Sequence, residues 1–197
     1  YDIFAAYPPV TNLLVNIASL SQPLSDLLCR DPSQLEALLA HGGVTGQRDR
    51  ESLHARFEGL ARIAPSRARA AAAISAEERL RIGVRFLMGL ADAMRTGREL
   101  AALSELLLSE AMRSVAGQEG LVSEHIGVVG LGRFGGGEMG FASDVDLVLI
   151  ADDVSQDISD RKSSAALAND LLKTLERYGI RADLRLRPMG RTSPSIT

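Results

Sequence analysis

Two aspartates one residue apart, Asp144 and Asp146, follow a glycine-rich run, Gly135-Gly136-Gly137-Glu138-Met139-Gly140. Asp146 leads into an apolar stretch from Leu147 to Ala151, which predicts a strand beginning at Asp144. Side chains alternate faces along a strand, so this spacing turns both carboxylates to one side. Glycine lets a backbone approach a phosphate with no Cβ in the way. Paired carboxylates supply the hard oxygen ligands that a divalent cation requires. Together these residues are suited to holding a nucleoside triphosphate and its metal. A third acid, Asp183, opens the alternating segment Asp183-Leu184-Arg185-Leu186-Arg187-Pro188, which predicts a further strand. If the alternation holds, Arg185 and Arg187 share a face with Asp183, where they could grip phosphates bidentately or serve in salt bridges.

Two better-known phosphate motifs compete for the glycines. Gly130-Leu131-Gly132-Arg133-Phe134-Gly135 fits G-x-G-x-x-G after an apolar run, with Asp152 at a suitable distance for a ribose contact. A dinucleotide site, however, needs a helix that starts in the loop and crosses back over the sheet. Only Gly136 to Ser143 separate the loop from the next strand, and three of those residues are glycines. Each glycine costs about 1 kcal/mol in a helix interior, and a crossover takes roughly a dozen residues. A P-loop is excluded because no Gly-Lys-Ser/Thr follows the glycines. The surviving reading is a nucleotidyltransferase site.

The elements that must position these acids fall into two stretches. Residues 1 to about 120 read as helices, with Pro23, Pro32 and Pro65 at first-turn positions and Gly42-Gly43 ending a segment that carries Leu35, Leu38 and Leu39. The clearest helix is expected to start at Ser75, with Glu78 completing a capping box. It carries Leu80, Val84, Leu87, Met88 and Ala91 on one face, and Gly97 closes it. The Ala68–Ala73 run reads as helix or linker, and another helix bears Leu100, Leu103, Leu107, Ala111 and Val115 and ends near Gly117. Beyond Gly120 the pattern changes to strand (126–131), loop, strand (144–151), helix (160–178, with Leu167, Leu171 and Leu175) and strand (183–188). The predicted fold class is α+β: an N-terminal helical domain, residues 1–120, followed by an α/β domain with a small mixed sheet, residues 121–197. The boundary falls near 118–124.

Composition narrows the functional classes. The 197 residues are 46% hydrophobic with a net charge of −3, so nothing draws the chain toward nucleic acid. No apolar run is long enough to span a membrane. The single Cys29 excludes an internal disulfide and a cysteine metal site; it is expected in the core. The start lacks the basic region of a signal peptide, so a cytoplasmic location is expected. Tyr1 in place of an initiator Met suggests a piece of a longer chain. His41, His54 and His125 show no ligand spacing, Asp152-Asp153 reads as an exposed loop, and Glu138 as a residue that holds the glycine loop.

Three motifs in this order resemble one known family: Gly132-Arg133-Phe134-Gly135-Gly136-Gly137-Glu138-Met139, then Ser143-Asp144-Val145-Asp146-Leu147, then Asp183 to Pro188. They are similar to those of the glutamine synthetase adenylyltransferase/adenylyl-removing enzymes, in the polymerase-β-like nucleotidyltransferase superfamily. Leu28 to Pro32 and Arg79 to Gly83 are similar in style. The resemblance implies that Gly135 and Gly136 offer backbone N–H groups to the β- and γ-phosphates, with a hydroxyl from Ser143. It implies that Asp144 and Asp146 hold Mg²⁺ or Mn²⁺ on ATP. Asp183 would be the third carboxylate, which completes the metal site and helps remove the proton of the attacking oxygen. Arg185 and Arg187 would face phosphates.

The implied reaction is transfer of AMP from ATP to a tyrosine of glutamine synthetase, with a signalling protein and glutamine as effectors and no nucleic acid or membrane partner. A homologous half of such enzymes removes the group by phosphorolysis, and both halves carry these motifs. The segment Leu20 to Leu28 is more similar to the adenylylating half. The rival readings are a degenerate nucleotide-binding regulatory module and a nucleotidyltransferase acting on another molecule. Family members continue into a further helical bundle after the third motif, so part of the substrate-facing wall is expected beyond Thr197.

Overall fold

The computed structural model describes residues 8–40, 46, 48–119, 126–151 and 158–184. Among these, eight helices precede and interleave with a three-stranded sheet, the α+β arrangement expected. The helices are α1 (Pro8–Leu20), α2 (Gln22–Arg30), α3 (Ser33–Ala40), α4 (Arg50–Ile63), α5 (Arg67–Leu87), α6 (Ala93–Glu119), the single turn α7 (Gly132–Gly135) and α8 (Ile158–Arg177). The strands are β1 (Ile126–Leu131), β2 (Val145–Ala151) and β3 (Ala182–Asp183). No described helix is long and apolar enough to cross a membrane.

The first long helix starts earlier than expected. Ser66, not Ser75, is the N-cap of α5: its side chain accepts from the Arg69 N–H, and the Ala-rich run is fully helical. Ser75 is buried inside the helix. Glu78, the supposed box partner, lies almost wholly buried between Arg48 and Arg81. The helix also stops sooner, at Leu87. A new helix begins at Ala93, where Asp92 Oδ1 accepts the Arg95 N–H at 2.7 Å. Gly97 therefore lies inside α6 and ends nothing. Pro23 occupies the first turn of α2, whereas Pro32 and Pro65 stand just outside their helices. Cys29 is exposed, against the expectation that it joins the core.

α5 is the hub of the helical part. One face carries Leu80 and Val84 against Leu13, Ile17, Leu24 and Leu38 of α1 to α3. Another carries Ala70, Ala71, Ile74 and Ile82 into the main core. That core is continuous from α4 (Leu53, Phe57) and α6 (Leu100, Leu103, Leu107, Ala111) to β2 (Val145, Leu147, Leu149) and α8 (Leu171, Leu175). The α6 face that the leucine spacing predicts, Leu100, Leu103, Leu107 and Ala111, is thus the one that supports the sheet, whereas Leu80 and Val84 of α5 hold α1 to α3.

The sheet order is β1-β2-β3, with β1 and β2 antiparallel and β2 and β3 parallel. An antiparallel β1–β2 pair cannot be the parallel βαβ unit of a dinucleotide fold, so the G-x-G-x-x-G match has no such meaning here. β2 begins at Val145, one residue after the expected start, and β3 is Ala182–Asp183, starting one residue before the expected 183–188; 185–188 lie outside the described residues. Gly42, Gly43, His41, His125, Asp152, Asp153, Arg185 and Arg187 lie outside the described residues, as do the side chains of Leu39 and Leu167.

Candidate active site

Register brings the acids together. Asp146 pairs directly with Asp183 across the parallel β2–β3 ladder. Residues paired in this way point to the same face, and adjacent strands lie about 4.8 Å apart. Asp144, two residues before Asp146, immediately precedes the strand. Val145, Leu147 and Leu149 point the other way and are buried in the core. The carboxylate face is the outer one. It also exposes Val129, Leu131 and Ile150, because Leu131 pairs with Asp146 and Val129 with Val148. Burial of alternate β2 residues therefore fixes which way the acids point.

Gly132 follows β1 at φ +55°, and a Cβ there would collide with Asp146 Oδ2. The positive φ favours glycine at this position, and any side chain there would displace the Asp146 carboxylate. The sequence reading treated Gly132 only as part of a motif. Its importance is that the chain turns tightly against a carboxylate. Just upstream of the acids, Gly140 to Ser143 form a closed turn: the Ser143 N–H donates to Gly140 O at 3.1 Å, and the Gly140 N–H donates to Ser143 Oγ at 2.9 Å. Arg133 Nη1 reaches the same oxygen at 3.4 Å. Ser143 accordingly shapes the approach to Asp144 and keeps its hydroxyl proton to donate.

Asp144 Oδ1 pairs with Arg181 Nε at 3.2 Å, and Arg181 Nη2 donates to Ala142 O at 3.1 Å. The arginine is largely exposed, so the ion pair contributes only about 0–1 kcal/mol. Asp183 and Asp146 are half-buried. Among the described residues no three His, Cys, Asp or Glu side chains are gathered closely enough to hold a metal ion. The donor set nonetheless fits Mg²⁺ or Mn²⁺, since it consists of carboxylate oxygens alone on neighbouring backbone positions.

The glycine loop is seated on α6. A Cβ on Gly97 would lie 3.2 Å from backbone atoms of Glu138 and from Gly137 O, so the helix meets the loop backbone to backbone. Gly135 and Gly136 line a cavity of about 860 Å³ with Arg48, Arg50, Arg98 and Glu105, and none of the three acids lines it. Val128 and Gly130 line that cavity too, from the face of β1 opposite the one shared with Asp146. The Gly136 N–H is hydrogen-bonded to Gly132 O at 3.0 Å in this conformation. Glu138 presents its backbone to the helix, with its N–H on Arg133 O at 2.8 Å. Gly132, Gly97, Arg181 and Arg79 are the residues here that sequence reasoning missed. Each acts through a tertiary contact, and only the glycines carried any local signal.

A hairpin turned through glycines, one acid on its second strand with another just before it, and a third acid in parallel register define the class: an α+β protein with a carboxylate-edged sheet. Residues 11–197 match the glutamate-ammonia ligase adenylyltransferase family, and the chain belongs to it. It is 27% identical to the bifunctional glutamine synthetase adenylyltransferase/adenylyl-removing enzyme of Rhizobium meliloti (strain 1021), an alignment covering 100% of this chain and 22% of the relative. It is 28% identical to the enzyme of the same name from Brucella suis biovar 1 (strain 1330), with the same coverage. With that of Leifsonia xyli subsp. xyli (strain CTCB07) it is 28% identical over 93% of this chain and 19% of the relative. The chain thus spans about a fifth of the length of the curated relatives it matches.

Proposed function

We propose that this chain carries a metal-dependent nucleotidyltransferase centre that moves an adenylyl group between ATP and a tyrosine of glutamine synthetase. The observation that carries the reading is the in-register pair Asp146–Asp183, with Asp144 immediately before the same strand. Family membership supplies the substrate: the relatives are named for adding and removing adenylyl on glutamine synthetase.

In the adenylylating direction the tyrosine oxygen attacks the α-phosphorus of ATP. The new O–P bond forms as the bond to pyrophosphate breaks. Asp183 accepts or directs the phenolic proton, because it enters from the strand beside the two acids assigned to the nucleotide. Asp144 and Asp146 bind the cation that accompanies ATP, Ser143 donates its hydroxyl proton to a phosphate oxygen, and Gly132 keeps the hairpin turn close to the acids. Mg²⁺ or Mn²⁺ at these carboxylates supplies Lewis-acid stabilisation of the phosphates and the attacking oxygen. If this chain is instead the removing half, the same roles serve phosphorolysis: inorganic phosphate attacks the adenylyl phosphorus, the bond from that phosphorus to the tyrosine oxygen breaks, the tyrosine oxygen takes up a proton and ADP leaves. Residues 121–197 are assigned the transferase role and residues 1–120 a supporting helical domain. A signalling protein and glutamine are proposed as effectors, in the cytoplasm. Gly135, Gly136, Arg185 and Arg187 are proposed phosphate contacts.

The test is to incubate the longer native chain with labelled ATP, Mg²⁺ and purified glutamine synthetase, beside the Asp146→Asn variant. Label on glutamine synthetase that the variant abolishes is the expected result. Adenylylated glutamine synthetase treated with phosphate tests the removal direction in the same way. Label on a different acceptor would remove glutamine synthetase from the reading. Metal-dependent ATP binding with no transfer in either direction would leave only a nucleotide sensor.

A further inference from the structure

Arg79 lies on α5, half-buried, with no carboxylate partner among the described residues. Its guanidinium instead donates to two backbone carbonyls that are distant in sequence: Nη2 to Phe141 O at 2.6 Å and Nη1 to Gly179 O at 3.2 Å. Phe141 sits in the turn that runs into Asp144. Gly179 sits in the turn between α8 and β3, four residues before Asp183. One side chain from the helical part therefore joins the two segments that deliver the acids to the sheet edge.

Three further facts make this junction more than packing. Among the described residues the β2–β3 ladder pairs Val145 with Ala182 and Asp146 with Asp183, and the Val145 N–H donates to Arg181 O at 2.8 Å, so a short ladder fixes where Asp183 arrives. Both acceptors are carbonyls, which a guanidinium fork can span together and a point charge cannot. The guanidinium also borders a small cavity of about 60 Å³ whose walls include Ser143, Ile180 and Arg181, all neighbours of the acids in sequence. Burial, with the charge of Arg181 second, pushes the Arg79 pKa down. An arginine remains charged there regardless, so the clamp persists at any working pH.

We propose that Arg79 is a positioning residue for the carboxylate centre: by holding the Phe141 and Gly179 carbonyls together it sets the separation of Asp144 and Asp146 from Asp183. The inference rests on the metal-binding role proposed above for those acids.

The test uses the full-length chain with Arg79→Met, which keeps the apolar stem, and Arg79→Lys, which keeps the charge but not the fork. Three quantities are read: thermal unfolding, Mn²⁺ affinity by electron paramagnetic resonance without nucleotide, and kcat and KM for adenylyl transfer. Arg79→Met is expected to remain folded, to lose about 10- to 100-fold in Mn²⁺ affinity and up to about 100-fold in kcat, and to keep its KM for the protein substrate. Arg79→Lys is expected to show the same losses in smaller measure. A folded Arg79→Met with wild-type Mn²⁺ affinity and kcat overturns the proposal. If Arg79→Met fails to fold, Arg79→Lys decides: wild-type values overturn the proposal and reduced values uphold it. If the wild-type chain neither binds Mn²⁺ nor transfers adenylyl, the carboxylate reading falls and this inference with it. That result is distinguishable because it appears without any substitution.

Discussion

Around α5, Glu77, Glu78, Glu99, Arg81 and Arg85 are all nearly fully buried, and each has a partner of opposite charge. Arg81 alone engages Glu78 at 2.9 Å, Glu99, and the Gly46 carbonyl at 2.8 Å. At the open end of the sheet Asp146 and Asp183 share one face in register, and Asp144, just before β2, leans on an exposed arginine. Taking an ion out of water costs several kcal/mol, so a buried charge survives only when paired. Half-open acids of one sign escape that cost and do little for the fold. Acid content therefore says little about role; burial separates charge locked into the helical interior from charge at the sheet edge.

The comparison breaks most visibly at Arg81. Arg81→Met leaves Glu78 with Arg48 alone and Glu99 with Arg85 alone in the interior, and should cost up to about 3–5 kcal/mol in urea unfolding. A loss under 1 kcal/mol would mean the helical charges are no more structural than those of the sheet. The mirror experiment is Asp146→Asn or Asp183→Asn. Adenylyl transfer should drop about 100-fold or more, near 3 kcal/mol in the barrier. Unfolding stability should stay within about 0.5 kcal/mol of wild type; a large loss of stability would erase the distinction.

Acid sharpens the same contrast. Burial pushes the Glu77 carboxyl up, but the Arg56 hydrogen bond and charge, followed by those of Arg48, hold it below its ordinary 4.5. A group whose folded pKa is depressed stabilises fully above its unfolded value, and that stability is lost as pH falls through the folded one. Wild type should thus lose stability below about pH 4.5, and Glu77→Gln should show a shallower decline; parallel curves would count against the network. The smallest effect concerns the helix start. Ser66→Ala should cost about 1 kcal/mol, while Ser75→Ala should be neutral or stabilise by a few tenths. Reversed values would restore Ser75 as a cap.

Much of the sheet was legible. Ile126–Leu131 and the run after Asp146 are apolar and β-branched, and the two-residue spacing of the acids survives because alternate β2 residues are buried. The rejected dinucleotide motif could also be judged locally, from too few residues for a crossover. The helix boundaries could not. A serine with a glutamate three residues on looks alike at a cap and in an interior, and only the arginines around Glu78 decide between them. Cys29 sits among apolar residues yet faces out. Arg79 gives no local sign at all, since its partners are 62 and 100 residues away. The placement of the glycines against α6 is equally a tertiary fact, carried by the close approach at Gly97.

The brevity of β3 has one more consequence. Asp183 joins the acidic edge through a strand of two residues, and side-chain direction reverses with every single step along a strand. Adding or deleting one residue in the 178–181 turn would swing the third acid toward the side where Val145 is buried. The hairpin and helices would keep their shape, and the chemistry would fall silent without any acid being mutated.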